Sequence, residues 1–536
     1  MTARPSLSNC GALGSGMWLY GVLSLFFHID AAVVVQIGQN FTGSTYGVDT
    51  PYTPPDCNGF AGPAQFVELI NGRFTVYSKT NGTRLATMTS EDFWTNAGLT
   101  FAANVFPTDP RIVYDPSVQR WFASAVDLDL GTLDGASNRF LVAVSTSSDA
   151  TLTWQGLAFT ADPVTGSHAD FPTLGLDTNG LYLAAYMFTS ANPNAEDLGQ
   201  TLVSIPKADL LQSSPTADNR TCFGLLGSTN YGYVLQPAVN FDSAASNAAV
   251  LAMGDLGYDY SWHSNLVGFS VQNAAGPGSA TLTLPENINV DPYYVPINPT
   301  QPDGNNTVDD GDARFSANVY QVNGLLYGVH SCQVDGRAAL RWYQIDSADF
   351  SLLQSGTISD TNLDFFYPSI AANSSGTIVI GFNGCSLSNF VSCFAIIGDS
   401  VNGVITFGVP ILLQAGLDNY DRSDGRWGDY STTCVDPVDP NRFWTMQMYP
   451  VSSGIWSTQI TELLTAVPKL SMKAAGSDVI LSWPGTAIAF DLESSSSLDF
   501  PDWQVVPQTM SSASKGKVYL RIPTTEGSQF FRLHQH

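Results

Sequence analysis

A strand–turn–strand unit recurs along this chain of 536 residues, and it restricts the possible folds more than any other feature. Each copy has an extended apolar segment, a turn of Asp, Asn, Gly or Pro, and a second segment rich in aromatic, β-branched and small residues. The seven copies span residues 66–78, 111–126, 172–188, 237–254, 314–331, 368–383 and 430–449. Helical periodicity is weak throughout, so the pattern predicts an all-β protein.

The spacing of the copies predicts how the strands are grouped. Their turn residues lie between 44 and 81 positions apart, which leaves room for about four short strands per unit. Repeated four-stranded units of this size are typical of the blades of a β-propeller, which protects strand edges by radial repetition. We therefore expect a seven-bladed β-propeller in which a strand within residues 33–48 completes the last blade.

The strand–turn–strand repeat ends at about residue 466. Short segments of strand-forming residues begin at Val479, Ala489, Trp503, Lys517 and Phe530. A segment of this length accommodates a small β-sandwich. The expected organisation is a propeller over residues 32–465 and a C-terminal β-sandwich module over residues 466–536.

Residues 1–31 have the features of a secretory signal peptide. Arg4 precedes an apolar run over residues 17–27, and Ala31 and Ala32 provide a small-residue cleavage site. The run is about half the length of a spanning helix, and no later segment approaches that length, so no transmembrane segment is expected after signal removal. The expected location is secreted or at the cell surface.

Six cysteines follow the proposed signal peptide. An exported chain permits disulfides, and Cys385 with Cys393 is the pair that a short hairpin would bring together. Buried free thiols are the alternative.

The charge balance excludes some classes of partner. Asp and Glu number 47 against 21 Lys and Arg, so the formal net charge is -26. Such a surface repels phosphate backbones and anionic headgroups, so nucleic acid is not an expected partner.

Four segments with related sequence features begin at Asp109, Asp170, Asp312 and Arg426, the last with the sequence RWGDYSTTCVDP. They resemble segments of exported bacterial β-propeller proteins distantly related to the sialidase superfamily. The tail from Leu481 to Leu533 resembles C-terminal modules of exported Verrucomicrobia proteins. This resemblance implies a propeller and a role for the tail in surface attachment or sorting; it implies no particular activity.

Residues 147–154 are similar to the Asp-box of sialidases, S-x-D-x-G-x-T-W. Thr151 stands where glycine belongs. In sialidases this box is a structural hairpin turn whose Asp bonds turn amides and whose Trp packs between strands. The similarity therefore implies a propeller and no catalytic role.

Three arginines lie near the starts of predicted inner strands: Arg111, Arg314 and Arg426. If they converge at one mouth of the channel, they would hold a carboxylate or sulfate by forked hydrogen bonds. The alternative is that each pairs with a nearby acid, Asp109, Asp312 or Asp429, and fixes a contact between blades.

Further candidate ligand-binding residues lie in the same zone: Asp109, Asp170, Asp429 and Tyr430. A glycosidase needs two carboxylates, or a tyrosine nucleophile with a partner acid. Spacing singles out none of these residues. Glu68, expected on the inner strand of the first blade, is the most suggestive glutamate. Whether the protein is an enzyme stays open.

An acidic loop precedes Arg314. It gathers the oxygen-bearing residues Asp303, Asn305, Asp309, Asp310 and Asp312. Hard oxygen ligands at short spacing suit calcium, so calcium is the candidate cofactor. The alternative is a solvated acidic turn.

Two functions follow from these patterns. The preferred one is a binding or adhesion propeller, exported to the cell surface, that engages extracellular glycans or another surface protein. The alternative is a sialidase-like glycoside hydrolase that acts on acidic sugars in the propeller funnel.

Overall fold

The protein, examined as a computed structural model, is built almost entirely of β-strands. The structure describes residues 35–129, 138–163, 167–190, 195–243, 247–255, 262–302, 307–401, 403–422, 425–465, 470–476, 478–484, 490–498, 501–507, 512–514, 517–523 and 529–535. The expected signal peptide, residues 1–31, lies outside this part of the chain. No helix of the described residues is long and apolar enough to cross a membrane.

The strands follow one another closely. The first are β1 (Gln36–Thr45), β2 (Gly59–Ala61), β3 (Gln65–Ile70), β4 (Arg73–Ser78), β5 (Arg84–Thr89), β6 (Val105–Asp115), β7 (Arg120–Asp129), β8 (Arg139–Ser145), β9 (Trp154–Thr160), β10 (His168–Leu176), β11 (Gly180–Phe188), β12 (Asp197–Pro206), β13 (Thr221–Leu226), β14 (Tyr233–Pro237), β15 (Val239–Asn240), β16 (Ala248–Met253), β17 (Trp262–Gln272), β18 (Thr281–Leu282) and β19 (Glu286–Tyr294). The next are β20 (Tyr320–Val322), β21 (Leu325–Val334), β22 (Arg337–Asp346), β23 (Leu352–Ile358), β24 (Asp364–Ala372), β25 (Ile378–Ser386), β26 (Asn389–Val401), β27 (Val404–Phe407), β28 (Ile411–Gln414), β29 (Thr432–Val435), β30 (Arg442–Ser452) and β31 (Ile455–Leu464). The last are β32 (Ser471–Ala475), β33 (Asp478–Pro484), β34 (Phe490–Ser495), β35 (Gln504–Val505), β36 (Ser512–Ser514), β37 (Lys517–Pro523) and β38 (Phe530–Gln535). Short helices α1 (Ser90–Asn96), α2 (Lys207–Leu210) and α3 (Ser228–Tyr231) lie between strands.

Within the described residues, strands β1 to β31 form four separate sheets of four or five strands and one larger sheet of fourteen. The separate sheets contain β2–β5, β6–β9, β24–β28, and β29–β31 with β1. The larger sheet consists of three antiparallel groups, β10–β13, β14 with β16–β19, and β20–β23. Strand β15 joins the first and third groups by parallel pairing with β10 and β20, and β19 joins the second group to the third by antiparallel pairing with β21. Each group is therefore an antiparallel unit of consecutive strands, as hairpin turns between neighbours require.

The first strands of successive units are neighbours, and β15, which follows β14 after one residue, takes this place for the unit of β14 and β16–β19. Contacts join each to the next and the last to the first, in the order β2, β6, β10, β15, β20, β24, β29 and β2. Apolar side chains fill the space between facing sheets. In one such cluster Val329 and Leu340 of one unit pack with Phe365, Ile380 and Ile396 of the next. The core is therefore distributed between sheets rather than gathered in one place.

Strand β1 completes the sheet of β29–β31, as the sequence predicts. It pairs antiparallel with β31, with Ile37 opposite Leu463 and Phe41 opposite Ile460. This pairing joins the two ends of residues 36–464 through main-chain hydrogen bonds, and it covers an edge that would otherwise be exposed.

Six of the seven predicted copies supply the first and second strands of a unit. The copy at 66–78 differs, because it forms β3 and β4, and the short β2 precedes it. The expected position of Glu68 on an inner strand was therefore wrong. The turns are ordered as predicted: Asp177 Oδ1 accepts hydrogen bonds from the backbone N–H groups of Asn179 and Gly180, both at 2.8 Å.

Asp149 orders the turn between β8 and β9. Its Oδ1 accepts hydrogen bonds from Thr151 N at 3.0 Å and from the Gln65 side chain at 2.7 Å. Trp154 is buried, and its Nε1 donates to Ala150 O at 2.9 Å. This geometry gives the segment the structural role expected of it; its relation to sialidases remains a resemblance.

The segment after residue 470 contains the predicted strands. Two sheets form, one of β32, β33, β36 and β37 and one of β34, β35 and β38. Leu481, Trp483 and Leu520 of the first sheet share one apolar cluster with Leu492 of the second.

The six cysteines of the described residues are free thiols, and five of them are buried. The expected disulfide between Cys385 and Cys393 is not formed. Cys393 lies opposite Asn383, two residues before Cys385, so the two cysteines are not cross-strand partners.

Candidate functional site

Most of the predicted ligand-binding residues line one cavity of about 450 Å³. They are Asp109, Asp170, Arg314, Arg426 and Asp429. Three residues of the acidic loop line it as well, Asp309, Asp310 and Asp312. Asp303 and Asn305 lie outside the described residues. A cavity of this size is within the range of small-ligand sites.

Arg111 and Tyr430 are buried next to the lining residues. The Arg111 guanidinium carbon lies 3.6 Å from the Tyr430 ring centroid and 5.6 Å from that of Phe171, which lines the cavity. The Tyr430 hydroxyl donates to Asp109 Oδ2 at 3.3 Å. Both residues therefore pack behind the side chains that line the cavity and hold them in place.

Repeated bulges aim side chains at the cavity. The antiparallel pairing with the next strand is interrupted at three places. They lie between Thr108 and Arg111 in β6, between Asp170 and Thr173 in β10, and between Phe366 and Ser369 in β24. Each bulge contains a residue with positive φ that is followed by proline: Asp109 (53°), Phe171 (50°) and Tyr367 (45°). All three line the cavity. Bulges of this kind redirect side chains and are frequent beside functional sites.

The two arginines that line the cavity pair with nearby acids. Arg314 forms a bidentate pair with Asp312, through Nε to Oδ1 at 2.8 Å and Nη2 to Oδ2 at 2.6 Å. Arg426 Nη2 donates to Asp429 Oδ2 at 2.6 Å. These are the pairings that the sequence offered as the alternative to an anion site. Arg314 also lies 4.4 Å from the Phe171 ring centroid, so its position is restrained on two sides.

Arg111 differs from the other two. It is 1% exposed, and its Nε donates to Pro172 O at 2.9 Å. Its Nη1 donates to Ser316 O at 3.5 Å. These bonds connect β6 to β10 and to the chain before β20, and burial lowers the pKa of the guanidinium. The expected pairing of Arg111 with Asp109 is replaced by carbonyl and aromatic contacts.

Burial perturbs several carboxyl groups of the cavity. It raises the pKa of Asp56 well above its usual range, and the neighbouring Asp109 and Asp429 raise it further. It likewise raises the pKa of Asp310 well above its usual range, against a lowering effect of the Ser331 hydroxyl. Burial raises the pKa of Asp429 to about 7, although the Arg426 guanidinium opposes the shift. Groups with such shifts are frequent at functional sites.

The raised pKa of Asp310 predicts a stability cost above acidic pH. When the pKa of a carboxyl group is higher in the folded than in the unfolded protein, its protonated form stabilises the folded state. This stabilisation is lost as the pH rises through the pKa of the folded state. We expect Asp310→Asn to be more stable than the parent at about pH 8, with a Tm about 2 °C higher, and the difference to vanish at about pH 4. Thermal melts of both proteins at the two pH values measure this.

The exposed turn variant Asp335→Asn is the control and should show no such pH-dependent difference. An Asp310→Asn protein less stable than the parent at the higher pH would contradict the prediction.

Asp56, Asn71, Phe171 and Tyr367 are among the lining residues that the sequence analysis missed. Asn71 Nδ2 donates to Asp56 Oδ2 at 2.9 Å, and Asn71 Oδ1 accepts from Asp109 N at 3.0 Å. One signal was available, because Asp109, Phe171 and Tyr367 each precede a proline at the start of a repeat copy.

The described part of the acidic loop does not form a metal cage. Asp309 Oδ1 accepts from Gly311 N, Asp310 Oδ1 accepts from Ser331 Oγ, and Asp312 pairs with Arg314. Across the described residues no three acidic, histidine or cysteine side chains are grouped as metal ligands. Calcium binding by the loop remains a prediction, and its first two candidate ligands, Asp303 and Asn305, lie outside the described residues.

Comparisons with known proteins give a distant structural likeness. No protein-family model matches the chain, and no curated protein matches it. The extracellular domains 1–2 of Drosophila semaphorin 1b match 90% of this chain and 96% of their own, with 7% identity and a TM-score of 0.39. The Dos1 propeller matches 76% of each chain, with 8% identity and a TM-score of 0.36. A mutant of Trypanosoma rangeli sialidase displaying trans-sialidase activity matches 70% of this chain and 51% of its own, with 13% identity and a TM-score of 0.29. Similar structures thus include propellers and a sialidase, at a likeness too low to inform function.

Proposed function

We propose that residues 32–465 form a seven-bladed β-propeller and that residues 466–536 form a small β-sandwich module. The closed series of seven first strands supports the propeller, since each strand would be the innermost strand of one blade. The apolar cluster shared by the two C-terminal sheets supports the sandwich.

We propose that the protein is an exported glycan-binding propeller of the cell surface or extracellular space. The observation that carries this proposal is the cavity of about 450 Å³, in which carboxylates stand among aromatic side chains, Tyr52, Phe106, Phe171 and Tyr367. Carboxylate oxygens accept hydrogen bonds from sugar hydroxyls, and aromatic rings offer apolar faces to sugar rings. Export rests on the sequence of residues 1–31.

The pairing of the arginines disfavours an acidic sugar. Arg314 and Arg426 each already hold a carboxylate, so an incoming anion would have to displace Asp312 or Asp429. Seven aspartates against two arginines also give the lining a negative balance. The proposed ligand is therefore an uncharged or positively charged glycan.

A glycan array with the parent protein and Asp170→Asn tests this proposal. Asp170 is exposed and lines the cavity, so its replacement by the isosteric amide should leave the fold intact. A hydrogen bond to a charged group contributes about 1.5–3 kcal/mol, so we expect the affinity for the bound glycan to fall about tenfold to a hundredfold. Asp335→Asn, in an exposed turn, is the matched control.

Arg314→Ala distinguishes acidic from other glycans. If an acidic sugar docks on the arginines, this variant should lose it; a neutral or cationic glycan should bind as before. If Asp170→Asn and Arg314→Ala both fold and both bind every ligand of the parent as before, the result would contradict binding in this cavity.

Glycoside hydrolysis is the second candidate, and one observation favours it. Asp429, with a pKa raised to about 7, lies near Asp109 and Asp170, and hydrolysis uses one protonated and one ionised carboxyl group. Release of reducing sugar from the glycans that bind, lost in Asp429→Asn, would favour hydrolysis. Binding without release would favour the binding protein.

A further inference from the structure

The cavity holds more acceptors than its own donors satisfy. Seven aspartates line it, and the basic residues of the lining are two arginines, each paired with a neighbouring aspartate. Burial raises the pKa of Asp56 and Asp310, which favours their neutral form, and a positive charge beside them would favour the ionised form again. An ionised carboxylate only accepts hydrogen bonds, so a ligand that brings both donors and positive charge is the best match for this cavity.

Two buried carboxyl groups of the lining have an oxygen with no hydrogen-bond partner. Asp56 is 1% exposed; its Oδ2 accepts from Asn71, but its Oδ1 has no partner among the described residues. Asp310 is 2% exposed; its Oδ1 accepts from Ser331, but its Oδ2 has no partner there. Buried polar atoms are normally satisfied, so each unpartnered oxygen is a candidate contact for a ligand donor.

The arrangement fits an organic cation better than a bare metal ion. The aspartates surround a space of about 450 Å³, and no three acidic side chains of the described residues are grouped around one point as metal ligands. A sugar unit fits within such a space, and an ammonium group on it would present three N–H donors.

We propose that the cavity binds an amino sugar, with the protonated amine directed at the unpartnered oxygens of Asp56 or Asp310. This inference rests on the proposed glycan binding and names its ligand class. The aromatic walls add a second attraction, because the faces of Tyr52 and Phe106 are electron-rich surfaces for a cationic group.

The test compares two tetrasaccharides that differ only at carbon 2 of each ring. Glucosamine tetramer carries an ammonium group there, and cellotetraose carries a hydroxyl. Isothermal titration at about pH 6, where the amines are protonated, should show at least about tenfold tighter binding of the glucosamine tetramer, with release of a proton from the contacted carboxyl group, since a charge-assisted bond replaces a neutral one. Asp56→Asn and Asp310→Asn should reduce that preference, whereas Asp335→Asn should retain it.

The outcomes separate this inference from the proposed function. Equal affinity for both tetrasaccharides, or tighter binding of cellotetraose, would overturn the amine site and leave glycan binding in place. If neither tetrasaccharide and no array glycan binds the folded parent, the amine site and the proposed glycan binding are both overturned. A preference for the amine that persists in the Asp56→Asn/Asp310→Asn double variant would also overturn the proposed contacts.

Discussion

Glu68→Ala is expected to lower the free energy of unfolding by about 3–5 kcal/mol. Glu68 is fully buried. Its carboxylate accepts hydrogen bonds from Ser44 Oγ at 2.6 Å, from Tyr77 OH at 2.8 Å and from Thr458 Oγ1. The residue thus joins β3 to the closing strand β1 and to β31. Its removal leaves several buried donors without an acceptor and a cavity at the point where the two ends of residues 36–464 meet.

Urea denaturation measures this change, and two variants define its origin. Glu68→Gln retains the volume and one acceptor, so it should lose less stability than Glu68→Ala. Glu286→Ala, which removes an acid from an exposed position of β19, should change stability by less than about 0.5 kcal/mol. A loss below about 1 kcal/mol for Glu68→Ala would show that closure of the chain does not depend on this carboxylate.

Lys207→Met is expected to destabilise the protein by about 3–5 kcal/mol. Lys207 Nζ lies 2.6 Å from Asp115 Oδ2, and the two side chains are 5% and 1% exposed. Asp115 orders the turn between β6 and β7, and Lys207 opens α2 in the following unit. Removal of the lysine leaves the carboxylate buried without its counter-charge, which costs more than the ion pair itself contributes.

A double-mutant cycle with Asp115→Asn tests that cause. If the unpaired charge is responsible, Asp115→Asn should recover part of the stability lost in Lys207→Met, and the two changes should be strongly non-additive. Lys473→Met, at an exposed position of β32, is the control for loss of a basic residue. Additive effects of Lys207→Met and Asp115→Asn would contradict the argument.

The pair of Lys207 and Asp115 has a counterpart elsewhere in the repeat. Lys79 Nζ lies 2.5 Å from Asp436 Oδ2, again between a turn aspartate and a lysine of the next unit. The turn aspartates were predictable because Asp supports turns through local hydrogen bonds. Their lysine partners were not, because they come from residues 92 and 357 positions away in the chain.

The candidate site likewise has features that could be predicted from the sequence and features that could not. The sequence offered the approach of Asp109, Asp170, Arg314, Arg426 and Asp429 to one another as one of two alternatives, since each lies in or shortly before the first strand of a repeated unit. The ligand class was not predictable from the arginines alone. An arginine is available to an anion only if no acid already holds it, and the close pairing with Asp312 and Asp429 is a feature of the folded backbone.

The sequence by itself determined the strand–turn–strand units, the closing strand and the strands of the C-terminal segment, because alternating side chains and turn residues act over a few neighbouring positions. Only the tertiary structure decided the partners of Arg111, the free state of Cys385 and Cys393, and the burial of Asp56 and Asp310. Those properties depend on which distant residues share a low-dielectric space, since desolvation, hydrogen bonding and charge act through space and not along the chain.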